Sequence, residues 1–276
     1  MRKIVLLVIL FFTSAVFAQN ACKNEILFAD DSLIAKNQIG KYIKYDFSDL
    51  WVGYSEIHPV DNEIYYYPAV YGIIGQNYQR LQMKILTVVK TENKPDEYLV
   101  YGKSKVKNNI CDFVGKISVY KIQELANLNF GVDDIYADDG IKVECLLSAR
   151  YEFYENKQQK GTGIFSGELQ SKFLINKNDS VFYDALMEGA DGYYNNAFVG
   201  TWKSYNSNVS KICNWGDWRV PNVNCNFDIG AGEFSPADEY LKFGWENFRM
   251  AWYMNDEISE LQKAKARQIE KEQWWK

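Results

Sequence analysis

Apolar and polar residues alternate with a period of two over much of the chain between residues 70 and 205, which predicts β-strands. The clearest apolar face consists of alternate residues in one strand: Leu81, Met83, Ile85, Thr87 and Val89. Similar alternation recurs at 98–106, 113–119, 147–153 and 165–175. Shorter strands are predicted near Tyr71, at 181–183 and at 198–205.

Short polar turns separate most of these strands, which predicts an antiparallel meander of about eight strands. One apolar face per strand indicates that this face packs in the core and that the other face is exposed to solvent. We therefore expect a mainly β fold in which the meander forms a barrel or a two-sheet sandwich, and the pattern does not separate the two. An outer-membrane barrel shows similar alternation with its faces exchanged, but this chain does not end on a strand.

The C-terminal part changes to a helical pattern. Ser235-Pro236-Ala237-Asp238 combines a capping serine with proline at the first helical position. We expect a helical extension over 236–276, with a break near Gly244 or Asn255, and with Trp274-Trp275 anchoring its tip to the body. The β domain then spans 19–235.

The N-terminus has the features of a signal peptide. Arg2 and Lys3 precede an apolar run too short to cross a bilayer, and Val16-Phe17-Ala18 provides the small residues that a signal peptidase recognises. Cleavage after Ala18 makes residues 1–18 the signal peptide. The mature protein is expected to be periplasmic, cell-surface or secreted; a retained membrane anchor is the alternative.

Composition excludes several classes of function. The formal charge is −5, and loss of Arg2 and Lys3 takes it to −7. An acidic chain without a basic cluster is a poor nucleic-acid binder. The single histidine, His58, precedes Pro59 in a loop-like segment, and no nucleotide-binding or metalloprotease motif occurs. We predict no nucleic-acid partner, no metal and no cofactor.

Export permits disulfides. We predict that Cys213 pairs with Cys225 and that Cys111 pairs with Cys145, although four cysteines allow three pairings. Cys22 is left over as the fifth cysteine. Its lipidation would explain the odd count, but Gln19-Asn20-Ala21 lacks the usual apolar residue of a lipoprotein signal.

The segment Asp191–Pro236, here called the Trp-rich segment, concentrates residues suited to ligand binding. It contains Trp202, Trp215 and Trp218, three of the eight tryptophans. Flat indole rings beside amides and acids are typical of sugar or small-ligand sites. We predict that ligand binding is carried by residues near the end of the β domain: Trp215, Trp218, Arg219, Asp228 and Glu233.

Each of these residues also has a structural interpretation. Trp202 lies in a strand-like Gly200-Thr201-Trp202 and is expected to plug one end of the β domain. Arg219 is expected to form an ion pair with Asp217, Asp228 or Glu233. Asp191 and Asp217 neighbour glycines and suit turns. The acids do not match a calcium-loop spacing.

The segment's Gly200-Thr201-Trp202, Asn214-Trp215-Gly216-Asp217-Trp218-Arg219 and Gly230–Pro236 blocks, with the signal segment and aromatic strands, resemble exported proteins of Bacteroidetes-type bacteria. That resemblance implies an exported β-rich protein and assigns no functional residue. Gly200-x-Trp202 is also similar to the lipocalin signature, although here it falls in the last predicted strand rather than the first.

The leading hypothesis is an exported, non-catalytic protein that binds a glycan or a small apolar ligand at the Trp-rich end, with cell-envelope association possible. One alternative is a carboxylate-dependent glycan hydrolase, which would place two of Asp191, Asp217, Asp228 and Glu233 across a sugar. The other is a structural cell-envelope protein without a ligand.

Overall fold

The computed structural model of this chain describes residues 34, 36–57, 64–252 and 258–276. The predicted signal peptide, Cys22, His58 and a helix break at Asn255 lie outside the described residues.

Antiparallel strands dominate the described residues, and they confirm a mainly β fold. The strands are β1 (Tyr54–Ile57), β2 (Ile64–Tyr67), β3 (Val70–Ile74), β4 (Gln79–Thr91), β5 (Lys94–Val106), β6 (Asn109–Glu124), β7 (Ile141–Glu155), β8 (Gly163–Asn176), β9 (Val181–Tyr183), β10 (Asn195–Ser204) and β11 (Ser210–Asp217). β1 and β2 pair with each other, while the other nine form one sheet in the order β10-β11-β3-β4-β5-β6-β7-β8-β9.

The nine-stranded sheet closes on itself because β10 pairs with β8 as well as with β11. Eight strands therefore form a ring, which is not a clean barrel. β10 pairs with Gly163–Gln170 of β8, and β9 takes the remaining stretch around Phe173–Ile175. β3 and β4 pair with each other only at Gly72–Ile74 and Gln79–Leu81. Beyond that point the two strands separate, while each stays paired with its other neighbour.

The interior of the ring holds the main hydrophobic core. The expected face of β8 is buried at Phe165, Leu169 and Phe173. In β4 the pattern changes part-way: a register shift between Ile85 and Thr87 moves Val88 inward and leaves Val89 54% exposed. The predicted inward position of Thr87 and Val89 is therefore wrong, because a bulge reverses the face that each later residue occupies.

Strand β11 was not predicted, since the predicted series of strands ends at 198–205. Cys213 and Trp215 point into the ring. Asn214, between them, is also buried, and its side-chain amide donates to the carbonyls of Pro221 (3.2 Å) and Asn222 (3.4 Å). A strand covered on both faces loses the period-two signal.

Two short helices, α1 (Ile39–Tyr42) and α2 (Asp49–Val52), lie near one end of the ring. Tyr42, Phe47 and Trp51 pack into the main core from there. We call this end, over which residues 36–57 pack, the covered end. The opposite end carries the β3–β4, β5–β6, β7–β8 and β10–β11 turns and is called the turn end.

A second, smaller core lies between β3 and the C-terminal half of the Trp-rich segment. Ile73, Phe227, Phe234 and Trp245 are all buried in it. The C-terminal helices are a 3-10 helix at Asp238–Phe243, α3 (Glu246–Trp252) and α4 (Glu260–Glu270).

The predicted helix start is two residues too early: the first helical residue is Asp238 and not Pro236, because Pro236 forms a β-bridge with Asp228. The predicted break near Gly244 is confirmed: this residue ends the 3-10 helix at φ 99°, which favours glycine. The C-terminal tip packs on the body, with Trp275 5.2 Å from the Tyr66 ring. No helix in the described ranges has the length and apolarity needed to cross a membrane.

Candidate functional site

Trp215, a predicted ligand-binding residue, is a core residue of the ring. Its side chain is 2% exposed and stacks on Phe198, with ring centroids 4.6 Å apart. Tyr151 meets it edge-on at 5.1 Å. This packing holds the indole away from solvent and fixes β11 against β10.

Trp218 lies just after β11 and is only partly buried. Its backbone φ is 67°, a left-handed conformation that is uncommon for a large side chain. Its ring lies 6.1 Å from that of Tyr67, and its indole nitrogen has no hydrogen-bond partner among the described residues. Trp218 therefore belongs to the join between the sheet and the β1–β2 pair.

Arg219 and Asp228 form a buried ion pair, with Nη1 to Oδ2 at 2.6 Å. Nη2 of Arg219 donates to the carbonyls of Gly230, Ala231 and Gly232 at 3.0, 3.1 and 2.7 Å. Asp228 Oδ1 accepts the backbone N–H of Gly230 (3.2 Å) and of Ser235 (3.0 Å). The pair thus organises the 228–236 loop through its backbone.

Glu233 lies on the same loop and is exposed. Of the five predicted ligand-binding residues, the structure brings Arg219 and Asp228 together and buries Trp215 elsewhere. Arg219 also borders a cavity of about 320 Å³ that neither tryptophan lines. The five residues do not share one cavity.

The predicted disulfides are wrong. Cys111, Cys145 and Cys213 are free, buried thiols, which removes both Cys213–Cys225 and Cys111–Cys145. Cys111 and Cys145 lie on β6 and β7, but β6 pairs Glu124 with Cys145 and Cys111 lies at the other end of that strand. Spacing along the chain could not show that they are at opposite ends of the ring.

A cavity with a volume of about 1010 Å³ opens at the turn end. Three of the turns contribute to its lining through Gln76, Lys107 and Lys160, and the start of β11 contributes Ser210. Its apolar wall includes Phe165 and Ile74. Turns that lie far apart in sequence meet here because alternate turns of an antiparallel meander fall at the same end.

Trp202 and Glu155 are hydrogen-bonded to each other in the wall of this cavity. The indole Nε1 of Trp202 donates to Glu155 Oε2 at 2.8 Å. The same carboxylate accepts the N–H of Gly163 (2.8 Å) and the hydroxyl of Ser104 (2.5 Å). Burial raises the pKa of Glu155, while these hydrogen bonds lower it. Three donors therefore hold the acid, and the acid in turn orients the indole.

Trp202 was expected to plug the ring, and the structure places it at the cavity wall, half-buried. Gly200 of the same motif is needed for close strand packing. A Cβ there would lie 2.0 Å from the Ser166 carbonyl oxygen and 2.7 Å from the Tyr151 hydroxyl. The Gly-x-Trp spacing thus combines a close approach between strands with an indole at the turn end.

Lysines surround the mouth of the same cavity. Lys107, Lys160 and Lys211 are exposed, and none of them forms an ion pair within the described part of the chain. The Lys211 ammonium lies 5.8 Å from the Trp202 ring centroid. Glu155 is the sole acidic residue in the cavity lining, so the mouth is cationic on an acidic protein.

The covered end contains a buried polar network around Asp217. Asp217 Oδ2 accepts hydrogen bonds from the Tyr183 hydroxyl (3.0 Å) and the Asn196 amide (2.6 Å). Asn196 also donates to the Leu50 carbonyl at 2.7 Å, which ties the network to α2. Burial raises the pKa of Asp217 well above its usual value.

Glu144 and Asp184 form a second acidic group at the covered end, each 3% exposed. Burial, then the charge and hydrogen bond of Asp184, raise the pKa of Glu144 to about 8. They border a cavity of about 290 Å³. Two carboxyl groups in a direct hydrogen bond are closer than the roughly 5 Å that separates glycosidase carboxylates. This geometry therefore does not favour glycan hydrolysis there.

Sequence inspection missed Glu155 and the three lysines. The available signal was topological: in a meander, residues in alternate turns share one end. No group of three or more histidine, cysteine, aspartate or glutamate side chains suited to a metal ion occurs among the described residues. No family model matches the chain, and neither the curated proteins nor the solved structures contain a match.

Proposed function

We propose that this chain is an exported, non-catalytic binding protein whose ligand is an acidic glycan held at the turn end of the ring. The observation that carries the proposal is the cavity of about 1010 Å³ with Trp202 in its wall and, at its mouth, three lysines that form no ion pair with a described residue.

The chemistry of the lining suits a charged sugar. An indole face covers the apolar surface of a pyranose at low entropic cost. Side-chain amides of Gln76, Asn77 and Asn108 border the cavity and can satisfy hydroxyl groups. The lysines complement carboxylate or sulfate groups. Because the whole chain is acidic, a cationic mouth also directs such a ligand to one place.

The same lining supports binding over hydrolysis. Glycosidases use two carboxyl groups flanking the scissile bond. Here Glu155 is the one carboxyl group in the lining, and three hydrogen bonds occupy it. A second acid at the required separation is missing from the residues that line this cavity.

The test is calorimetric titration of the mature protein with uronic-acid oligosaccharides and with neutral oligosaccharides of equal length. We expect the acidic series to bind more tightly and its affinity to fall with added salt. Trp202→Ala should weaken binding by about tenfold, the loss typical of one stacked ring. Trp252→Ala is the matched control, since Trp252 is 45% exposed and does not line this cavity.

Equal affinity for acidic and neutral sugars would contradict the proposed role of the lysines in selecting acidic ligands. No binding by either series would contradict the proposal as a whole.

A further inference from the structure

The wall of the ring has a gap on one side of β4. β3 and β4 stop pairing beyond Gly72 and Leu81, and Lys84 follows on β4. Lys84 lines two spaces: an inner cavity of about 40 Å³ and an outer cleft of about 190 Å³. The inner space is large enough to hold water. The amine-bearing side chain is thus placed where the interior of the ring approaches its surface.

Aromatic rings border the Lys84 ammonium on the outer side. Nζ lies 5.4 Å from the Trp275 ring centroid and 5.9 Å from that of Tyr66. Its one hydrogen bond among the described residues goes to the Val52 carbonyl oxygen, at 3.2 Å. No described carboxylate forms an ion pair with it. Burial lowers the pKa of Lys84, so that more of the amine is neutral and nucleophilic at neutral pH.

An acid faces the same inner cavity. Asp217 lines it together with Lys84 and Asn196. Burial raises the pKa of Asp217, which favours the protonated form of this carboxyl group and suits it to donate a proton. The Lys84 amine and the Asp217 carboxyl group border one small cavity. Imine formation requires an amine nucleophile and an acid that protonates the leaving oxygen.

We propose that Lys84 is a covalent attachment site for a small aromatic aldehyde that enters the outer cleft between Tyr66 and Trp275. The neutral amine attacks the carbonyl carbon and forms a C–N bond, giving a carbinolamine. One amine proton moves to the carbinolamine oxygen. Asp217 then donates a proton to the hydroxyl group as the C–O bond breaks and water leaves, and the remaining iminium N–H proton returns to the Asp217 carboxylate. The product is an imine plus one water, and no oxidant or reductant takes part. The site is separate from the turn-end cavity, and neither proposal depends on the other.

Lys90 provides a matched control within the same strand. Burial also lowers the pKa of Lys90, but its ammonium donates to the carbonyls of Ile43 and Tyr45, and it lines none of the cavities described above. Any reactivity that follows from burial alone should appear at both lysines.

The experiment treats the mature protein with 4-hydroxybenzaldehyde at neutral pH, traps imines with cyanoborohydride and maps the modified peptides by mass spectrometry. We expect Lys84 to be modified at least about tenfold faster than Lys90, because it alone has a cavity beside its amine. Propanal, which cannot stack between the two rings, should react more slowly at Lys84.

Lys84→Arg keeps the positive charge between the aromatic rings and should abolish the adduct. Circular dichroism checks that this variant is folded, and the wild-type peptide map decides the question if it is not. Equal labelling of Lys84 and Lys90, or faster labelling of exposed lysines such as Lys107, would overturn the proposal. Equal rates with propanal would overturn the aromatic specificity.

Discussion

The two ends of the ring treat their polar groups in opposite ways. At the covered end, the Tyr183 hydroxyl and the Asn196 amide both donate to Asp217 beneath α2, and the cavity beside Asn196 and Asp217 measures only about 40 Å³. At the turn end, Glu155 has hydrogen-bond partners within the protein, whereas the lysines and amides around it face the cavity. Buried polar groups must be paired within the protein, whereas groups at an open cavity can be left for a ligand.

The tryptophans show the same contrast. Trp215 is sealed inside the ring and Trp202 stands in a cavity wall. The difference indicates that aromatic density in the Trp-rich segment has two separate causes, packing for Trp215 and ligand contact for Trp202. The predictions below test this division, starting from the largest expected effect.

Trp215→Ala should lower the free energy of unfolding by about 4 kcal/mol, since it empties a packed site in the main core. Chemical denaturation by guanidinium measures the change. The exposed Trp252→Ala serves as the control and should cost under about 1 kcal/mol. A loss below 1 kcal/mol at Trp215 would contradict its assignment as a core residue.

Arg219→Ala should cost about 3 kcal/mol, because it leaves the Asp228 carboxylate buried without its partner. Arg150→Ala is the control: its pair with Glu168 has side chains 74% and 52% exposed, and such pairs contribute little. Similar denaturation midpoints for the two variants would show that the 228–236 loop does not depend on Arg219.

Glu144→Gln should change how stability depends on pH. Glu144 has its pKa raised from 4.5 to about 8, so between these values the folded chain holds a proton that the unfolded chain has released. Its contribution to stability is therefore lost as pH rises through this window. Relative to wild type, the variant should gain on the order of 2 kcal/mol between pH 5 and pH 8.

Thermal unfolding of both proteins across that range measures the difference. Asp179→Asn, at an exposed position, is the control and should show no such gain. A pH-independent difference between Glu144→Gln and wild type would mean that the buried proton is not held at Glu144.

Charge reversal at the mouth should have the smallest effect on the fold and a measurable one on binding. Lys160→Glu with Lys211→Glu is expected to weaken acidic-oligosaccharide binding by about tenfold while leaving stability within about 0.5 kcal/mol. Lys36→Glu with Lys177→Glu makes the same change in net charge at exposed positions near the covered end and should leave affinity unchanged. Equal losses from both would point to net charge instead of position.

Sequence patterns anticipated the meander well, because one wet face per strand preserves the period-two signal. They failed where that condition ends: at the bulge after Ile85 and at β11, where Asn214 is buried on the outer face. The Arg219–Asp228 pair was among the expected partners, since both residues lie in one short segment.

The turn-end cavity could not be predicted from local sequence patterns. About 50 residues separate Lys107 from Lys160, and about 50 more separate Lys160 from Lys211. The three lysines meet only because the β8–β10 pairing closes the ring. Local spacing contains no information about that closure. The sequence therefore identified the segment that contains Trp202, but it did not show that Trp202 is the tryptophan that lines the turn-end cavity.

The most direct test of the division between Trp202 and Trp215 is the indole N–H spectrum of nitrogen-15-labelled protein during titration with an acidic oligosaccharide. The chain has eight tryptophans, few enough to assign individually with Trp202→Phe and Trp215→Phe. The account predicts a saturable shift of the Trp202 signal, whose N–H donates to Glu155, with the Trp215 signal unchanged. Saturable binding that shifts Trp218 and leaves Trp202 unmoved would contradict it.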